Sequence, residues 1–315
     1  MIGRRALPLV AVATLALAAC TTLPPTSPAA PSGGTSSSSS GGTTFPSRAL
    51  GPGPGLAYAG WTFDQCKAPS IAQMNAWLAS PYRGVGVYIG GNSAACPPGP
   101  SNPNLSAGWV NAVGRSGWTF LPLYVGSQAP TGCPGSSTTN RISADLPTAA
   151  AQGVTEADDA ASKAASFGFR PAFGVRPGSP VYFDLEAYTR GSGCTTPVNA
   201  FIGAWVQRMH QLGYTAGFYS SGASGIADQV ARCQAPMPSS CPDDMWFAHW
   251  NGNGYPYGDQ YMPDPPDNRW LHARHHQYLG GHNETWGGVL INIDSTGSDG
   301  LTARRAMVPF PTRTG

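Results

Sequence analysis

From Leu56 to about Arg305, short runs rich in Val, Ile, Tyr, Phe and Trp alternate with stretches of helical periodicity, and this alternation restricts the fold more than any other feature. Extended runs are expected at residues 57–63, 84–89, 119–124, 181–185, 215–219, 245–249, 275–278 and 289–293. Helices are expected at 70–79 with Ser70 as the cap, at 106–116, at 155–167 with an acidic first turn of Glu156, Asp158 and Asp159, and at 197–212. In the last of these, Phe201, Trp205 and Met209 recur every four residues as a core-facing stripe. Later helices are degenerate. Strand followed by helix in strict turn argues for parallel pairing, because parallel neighbours need a crossover of a dozen or more residues. Eight strands in roughly 250 residues are the usual size of one α/β barrel, so the expected fold class is α/β, a single TIM-like (β/α)8 barrel. A doubly wound sheet is the alternative; no Gly-x-Gly-x-x-Gly follows an early strand, which disfavours a nucleotide site.

The chain outside this domain, taken as 55–305, speaks to location. Arg4 and Arg5 precede an apolar run from Ala6 to Ala19, which reads as a signal peptide over 1–19 and not as a spanning helix. Leu17-Ala18-Ala19-Cys20 resembles a bacterial lipobox, in which cleavage leaves Cys20 as a lipid-modified N-terminus. An incidental cysteine after an ordinary signal is the alternative. Residues 20–54 are Pro, Ser, Thr and Gly, with serines from Ser36 to Ser40, and read as a flexible tether; 306–315 is a tail. The expectation is an exported monomer on the outer face of the cell membrane, or free in the envelope.

A formal net charge of +2 with few charged residues leaves no basic stripe, and nucleic acid is excluded as a partner. Setting Cys20 aside, Cys66, Cys96, Cys133, Cys194, Cys233 and Cys241 form an even set, as expected of disulfides in an exported domain. No Cys/His spacing suits zinc, so no metal and no cofactor are expected. Cys66 and Cys96 follow strands one and two, Cys133 and Cys194 follow three and four, and Cys233 and Cys241 flank a Pro-rich turn; these are the expected pairs.

The chemistry concentrates in Val181-Tyr182-Phe183-Asp184-Leu185-Glu186. Alternate side chains of a strand share a face, so Asp184 and Glu186 project together from Cα atoms roughly 6.6 Å apart. Glycoside hydrolysis uses two carboxyl groups about 5 to 9.5 Å apart, one protonated and one ionised. A bare Asp-x-Glu is common at strand ends, where it caps a helix or meets solvent, so the surroundings must decide. Polar residues collect at the other strand ends: Asp64, Tyr88, Tyr124, Gln128, Tyr219, His249, Trp250, Gln277 and Asp294. Asp64 and Asp294 belong to the first and last strands, which meet when a barrel closes. Four acids at one mouth would raise one another's pKa.

Several motifs then resemble a known family. Gly60-Trp61-Thr62-Phe63-Asp64-Gln65-Cys66, Gly86-Val87-Tyr88-Ile89-Gly90-Gly91, Pro122-Leu123-Tyr124-Val125-Gly126-Ser127-Gln128, the strand-four acids, His276-Gln277-Tyr278 and Asn292-Ile293-Asp294 look like the DUF1906 group. That group is also called the Rv2525c-like glycoside-hydrolase-like domain, found in actinobacterial exported proteins. More distantly, Asp64, Asp184-x-Glu186, Trp246-Phe247-Ala248-His249-Trp250, Gln277-Tyr278 and Asp294 resemble the family 25 lysozymes, muramidases that cut peptidoglycan. The resemblance implies Glu186 as proton donor, Asp184 as the acid that stabilises the oxocarbenium-like centre or orients the acetamido group, and Asp64 and Asp294 as flanking acids. His276 stands where those enzymes have Trp. The expected function is muramidase-type hydrolysis of a cell-wall glycan, with Tyr88, Tyr124, Gln128, Tyr219, His249, Trp250 and Gln277 placing sugars. The alternatives are a non-catalytic glycan-binding envelope protein and, more weakly, a phosphodiesterase holding a metal among the four acids.

Overall fold

The computed structural model describes residues 55–304, other than 134, 136–139, 175–176, 235–237 and 265–266. The expected signal peptide, Cys20, the tether and the C-terminal tail lie outside the described residues. Eight strands form a closed ring in sequence order: β1 Gly55–Asp64, β2 Tyr82–Gly90, β3 Thr119–Tyr124, β4 Pro180–Leu185, β5 Thr215–Ser221, β6 Asp244–Ala248, β7 Arg274–Trp286 and β8 Val289–Ala303. Helices α1 Ile71–Ala76, α2 Ala107–Arg115, α3 Leu146–Ser166, α4 Ser192–Gln211 and the short α5 Ala227–Arg232 follow the first five strands.

The ring is not wholly parallel, which corrects the expectation of a strict (β/α)8 barrel. β1 to β7 pair in parallel, whereas β8 runs antiparallel to both β7 and β1. The cause is the turn Trp286-Gly287-Gly288-Val289. Trp286 pairs with Val289, and both intervening glycines have positive φ, 56° and 76°. A two-residue loop of that kind reverses the chain into a hairpin and leaves no length for a crossover helix. Gly287 also lies against α1, where a β-carbon would stand 2.3 Å from the Ala76 carbonyl oxygen. Among the described residues no helix joins β6 to β7 either.

Helix α1 begins where the sequence places it. Ser70 Oγ accepts from the Gln73 amide at 3.2 Å and Gln73 Oε1 accepts from the Ser70 amide at 2.8 Å, a reciprocal cap. Helix α3 begins at Leu146, capped by Asp145, well before the expected 155. The acids expected in its first turn are therefore mid-helix, and Glu156 is buried. Its small face of Ala149, Gly153, Ala157, Ala160 and Ala164 lets α4 approach closely; a β-carbon at Gly153 would meet the Phe201 carbonyl oxygen at 2.3 Å. Phe201, Trp205 and Met209 of α4 are fully buried, with the Trp205 ring edge-on to Phe183 at 5.6 Å.

Two apolar layers follow from strand alternation. Phe63, Phe120 and Phe183 face outward into the helix layer, while Leu121, Leu123, Tyr182 and Trp246 fill the inside of the ring beneath Tyr88 and Tyr219. Below them the interior is polar. His275 joins Ser298 at 2.8 Å and Tyr182 at 2.9 Å, and Thr62 joins Ser298 at 2.9 Å. Disulfides connect Cys66 to Cys96, Cys133 to Cys194 and Cys233 to Cys241.

Candidate active site

Chemistry in parallel rings gathers at the C-terminal strand ends, where side chains from different strands converge. Asp64 ends β1 and lies in register with Asp294 of β8. Asp294 reaches the rim although its strand runs the other way, because β8 continues past the rim into the β7–β8 hairpin. Asp184 of β4 lies in register with Tyr219 of β5. Gly86 makes room: a β-carbon there would sit 2.5 Å from Asp64 Cβ and 3.1 Å from the Trp246 ring.

Gln277 ties this set together. Its Nε2 donates to Asp64 Oδ2 at 3.0 Å, while its Oε1 accepts from the Tyr219 hydroxyl and the Trp250 indole, both at 3.0 Å. The Tyr88 hydroxyl donates to the other Asp64 oxygen at 2.9 Å. Trp250, largely exposed at 64%, lies over Gly280, where a β-carbon would come within 2.3 Å of the indole. One face of a large aromatic ring is thereby backed by backbone and its N–H edge is fixed.

The four acids form one electrostatic group. Burial, then the neighbouring Asp294 charge, push the Asp64 pKa up to about 7, against the lowering effect of donation by Gln277 and Tyr88. Asp184 is raised well above the ordinary carboxylate range by burial first and by Glu186 and Asp64 next, and its Oδ1 is buried without a hydrogen-bond partner among the described residues. Glu186 is raised by desolvation and by Asp294. Its side chain opens on solvent at the rim, so that desolvation is partial. Asp294 is raised by burial, offset by the Gly281 amide that donates to it at 2.5 Å.

These shifts link to stability with a definite sign. Folded values above an unfolded value of about 4 mean that, between about pH 4 and the raised folded values, the native state keeps protons the unfolded chain has lost. For Asp64 the upper edge of that window is about 7. Stability contributed by these acids therefore falls as pH rises through it. Scanning calorimetry should give a higher Tm at pH 5 than at pH 8, and Asp184→Asn should narrow the gap by removing one group that keeps its proton only in the folded state. An unchanged gap in that variant would place Asp184 outside the coupled group.

Three residues expected to place sugars point elsewhere. Tyr124 faces outward, its ring on Phe183 and its hydroxyl donating to Asp159 of α3 at 2.8 Å. Gln128 is buried and spent on backbone: Nε2 donates to the Asp184 carbonyl at 2.9 Å and Oε1 accepts from the Glu186 amide at 2.7 Å. It brackets the acid pair. His249 turns to Asp259, Nδ1 to Oδ2 2.7 Å, with Tyr261 edge-on. Ligand atoms of His249, Asp259 and His276 lie within 4.8 Å of one another, but the two ring nitrogens of His276 face the carbonyls of Tyr255 and His249 at 3.0 and 2.9 Å. Those two carbonyls set the orientation of the ring.

Other contributors carried no sequence signal. Glu156 accepts from the amide and hydroxyl of Ser127, fixing the loop that carries Gln128. Asp228 accepts from Tyr188 at 2.5 Å, Arg190 at 2.6 Å and Thr195 at 2.8 Å, pinning the segment after Glu186. The partners of both are distant in sequence, so no local pattern marks these roles; Glu156 reads locally only as one of three acids at an expected helix start.

Carboxyls that raise one another, beside the exposed ring of Trp250 at the C-terminal ends of a ring of strands, are groups of the kind glycoside hydrolysis uses. The profile of the Rv2525c-like, glycoside hydrolase-like domain matches residues 75–297, and the chain belongs to that family. Similar solved structures include an uncharacterized B. stearothermophilus protein, at 15% identity over 76% of this chain and 99% of that one, TM-score 0.44. The catalytic domain of endolysin ply40 from bacteriophage P40 of Listeria monocytogenes is 12% identical over 76% and 93%, TM-score 0.45. The Clostridium perfringens spore cortex lytic enzyme SleM is 14% identical over 79% and 68%, TM-score 0.45. No curated protein matches the chain.

Proposed function

We propose that the protein is an exported hydrolase of cell-wall glycans, acting in the muramidase manner on peptidoglycan or a related amino-sugar polymer. The observation that carries this reading is the raising of Asp64, Asp184 and Glu186 by burial and by one another's charges and that of Asp294, beside Tyr88, Tyr219, Trp250 and Gln277. Glu186, at the open rim, donates its proton to the leaving glycosidic oxygen as the bond to the anomeric carbon breaks. Asp184, buried and neutral with a free Oδ1, hydrogen-bonds the 2-acetamido group, a role that suits a protonated carboxyl better than stabilising charge does. Asp64 accepts two hydrogen bonds and is the acid best placed to carry charge toward the oxocarbenium-like centre. Water then attacks and Glu186 takes its proton back. Trp250 supplies a flat face for a pyranose ring. Lipid on Cys20 and the 20–54 tether hold the domain at the outer membrane face.

The test is incubation of the purified protein with peptidoglycan and measurement of released reducing ends. Release above background supports the hydrolase. Binding to the glycan without release would leave a glycan-binding envelope protein on the same ring. Recovery of the native protein in a detergent-extracted membrane fraction tests the anchor; recovery only in the aqueous phase would remove it.

A further inference from the structure

Beside the acids lies a groove of about 450 Å³ whose lining includes Asp64, Gln65, Lys67, the Cys66–Cys96 disulfide, Asn292 and Asp294. Among the described residues, Lys67 is the one basic residue lining it. Its side chain is exposed and no ion-pair partner engages its ammonium among the described residues. The backbone that carries it is held on every side. Asn102, buried to 1%, accepts from the Ala68 amide at 2.9 Å and donates to the carbonyls of Cys66 and Cys96, both at 3.4 Å. Asn104 donates to the Ala68 carbonyl at 2.9 Å, and Gln65 donates to the Lys67 carbonyl at 2.6 Å. A single unpaired cation is thus mounted on a fixed loop at the edge of an otherwise acidic cleft.

We propose that Lys67 makes this groove a subsite for a sugar bearing a carboxylate, so that the site selects anionic over neutral glycans. The inference rests on the glycan reading above. A sugar seated against Asp64 and Asp294 presents its outer substituent to the ammonium, and one lysine balances one negative charge. A phosphate monoester, carrying close to two charges, would meet the two flanking acids with a surplus and fits less well. Lysine acts here as a mobile point charge on a flexible stem, which suits a substituent without fixed geometry.

Calorimetric titration separates the possibilities. The probes are peptidoglycan glycan strands freed of peptide, whose muramic acids carry lactyl carboxylates; the same strands after carbodiimide amidation; and amidated strands phosphorylated at the 6-hydroxyl afterwards. The full chain should bind the carboxylated strands about three- to fivefold more tightly than the amidated ones, the size expected of one partly exposed ion pair. Lys67→Met should abolish that preference, Lys67→Arg should retain it, and added salt should shrink it. A preference that survives in Lys67→Met overturns the inference, as does tighter binding of the phosphorylated strands than of the carboxylated ones. Charge preference without cleavage would keep this subsite and sink the hydrolase reading; cleavage without charge preference would do the reverse.

Discussion

Glu186→Gln should lower turnover on peptidoglycan by about 10² to 10⁴, the range for loss of a general acid, while leaving glycan binding within a few-fold. Gln keeps the shape and the hydrogen-bonding reach of the side chain and removes only the titratable proton. The residue sits at the rim, with its backbone amide held by Gln128, so the substitution disturbs no packed contact. The Tm should therefore change little. Reducing-end assays on the variant and the parent, with circular dichroism as the folding control, decide the matter. Equal turnover in the two proteins would remove Glu186 as the acid and leave Asp184 as the candidate.

The second large effect concerns the Cys133–Cys194 bridge, which joins the loop after β3 to the start of α4 across 61 residues. Closing a loop of that length restricts the unfolded chain by about 4 kcal/mol on the chain-entropy account. The Cys133→Ala/Cys194→Ala double variant should lose about that much stability in denaturant titrations. The bridge also braces the two segments that flank the acids, Gln128 on one side and Tyr188 to Thr195 on the other. Turnover should fall as well under conditions where the variant remains folded. A loss well under 1 kcal/mol with full activity would mean that Gln128 and Asp228 hold these loops without it.

The parts of this fold that the sequence makes legible are those with a local signature. Eight strands are visible as apolar, aromatic runs, and the Ser70 cap as Ser followed three residues later by Gln. The Asp184/Glu186 pair is visible because an i, i+2 spacing on a strand fixes one face whatever lies around it. The direction of β8 is also written locally, in Gly287-Gly288, a signal that the alternation of strand and helix does not carry. Start and facing were harder. The first turns of α3 hold Ala, Thr, Gln and Gly153 and show little apolar stripe until α4 packs on them, so the acids at 156–159 looked like a helix start. The outward facing of Tyr124 is not written in the sequence, because residues 119–124 are buried on both sides and period two vanishes in such a strand. Gln128, Glu156 and Asp228 act through partners far away in sequence, which only the closed ring brings near.

The central claim is that four carboxyls at the rim form one electrostatic site that keeps an acid protonated near neutral pH. It is tested most directly by the pH–rate profile of Asp294→Asn against the parent on a soluble glycan. Asp294 is the charge that raises Glu186 after desolvation. Removing it should lower the Glu186 pKa, and since activity is lost as pH rises through the pKa of the acid, the alkaline fall-off should move to lower pH with turnover partly retained. A fall-off that stays where the parent has it would mean that Asp294 and Glu186 do not share a site, and the account of the rim would be wrong.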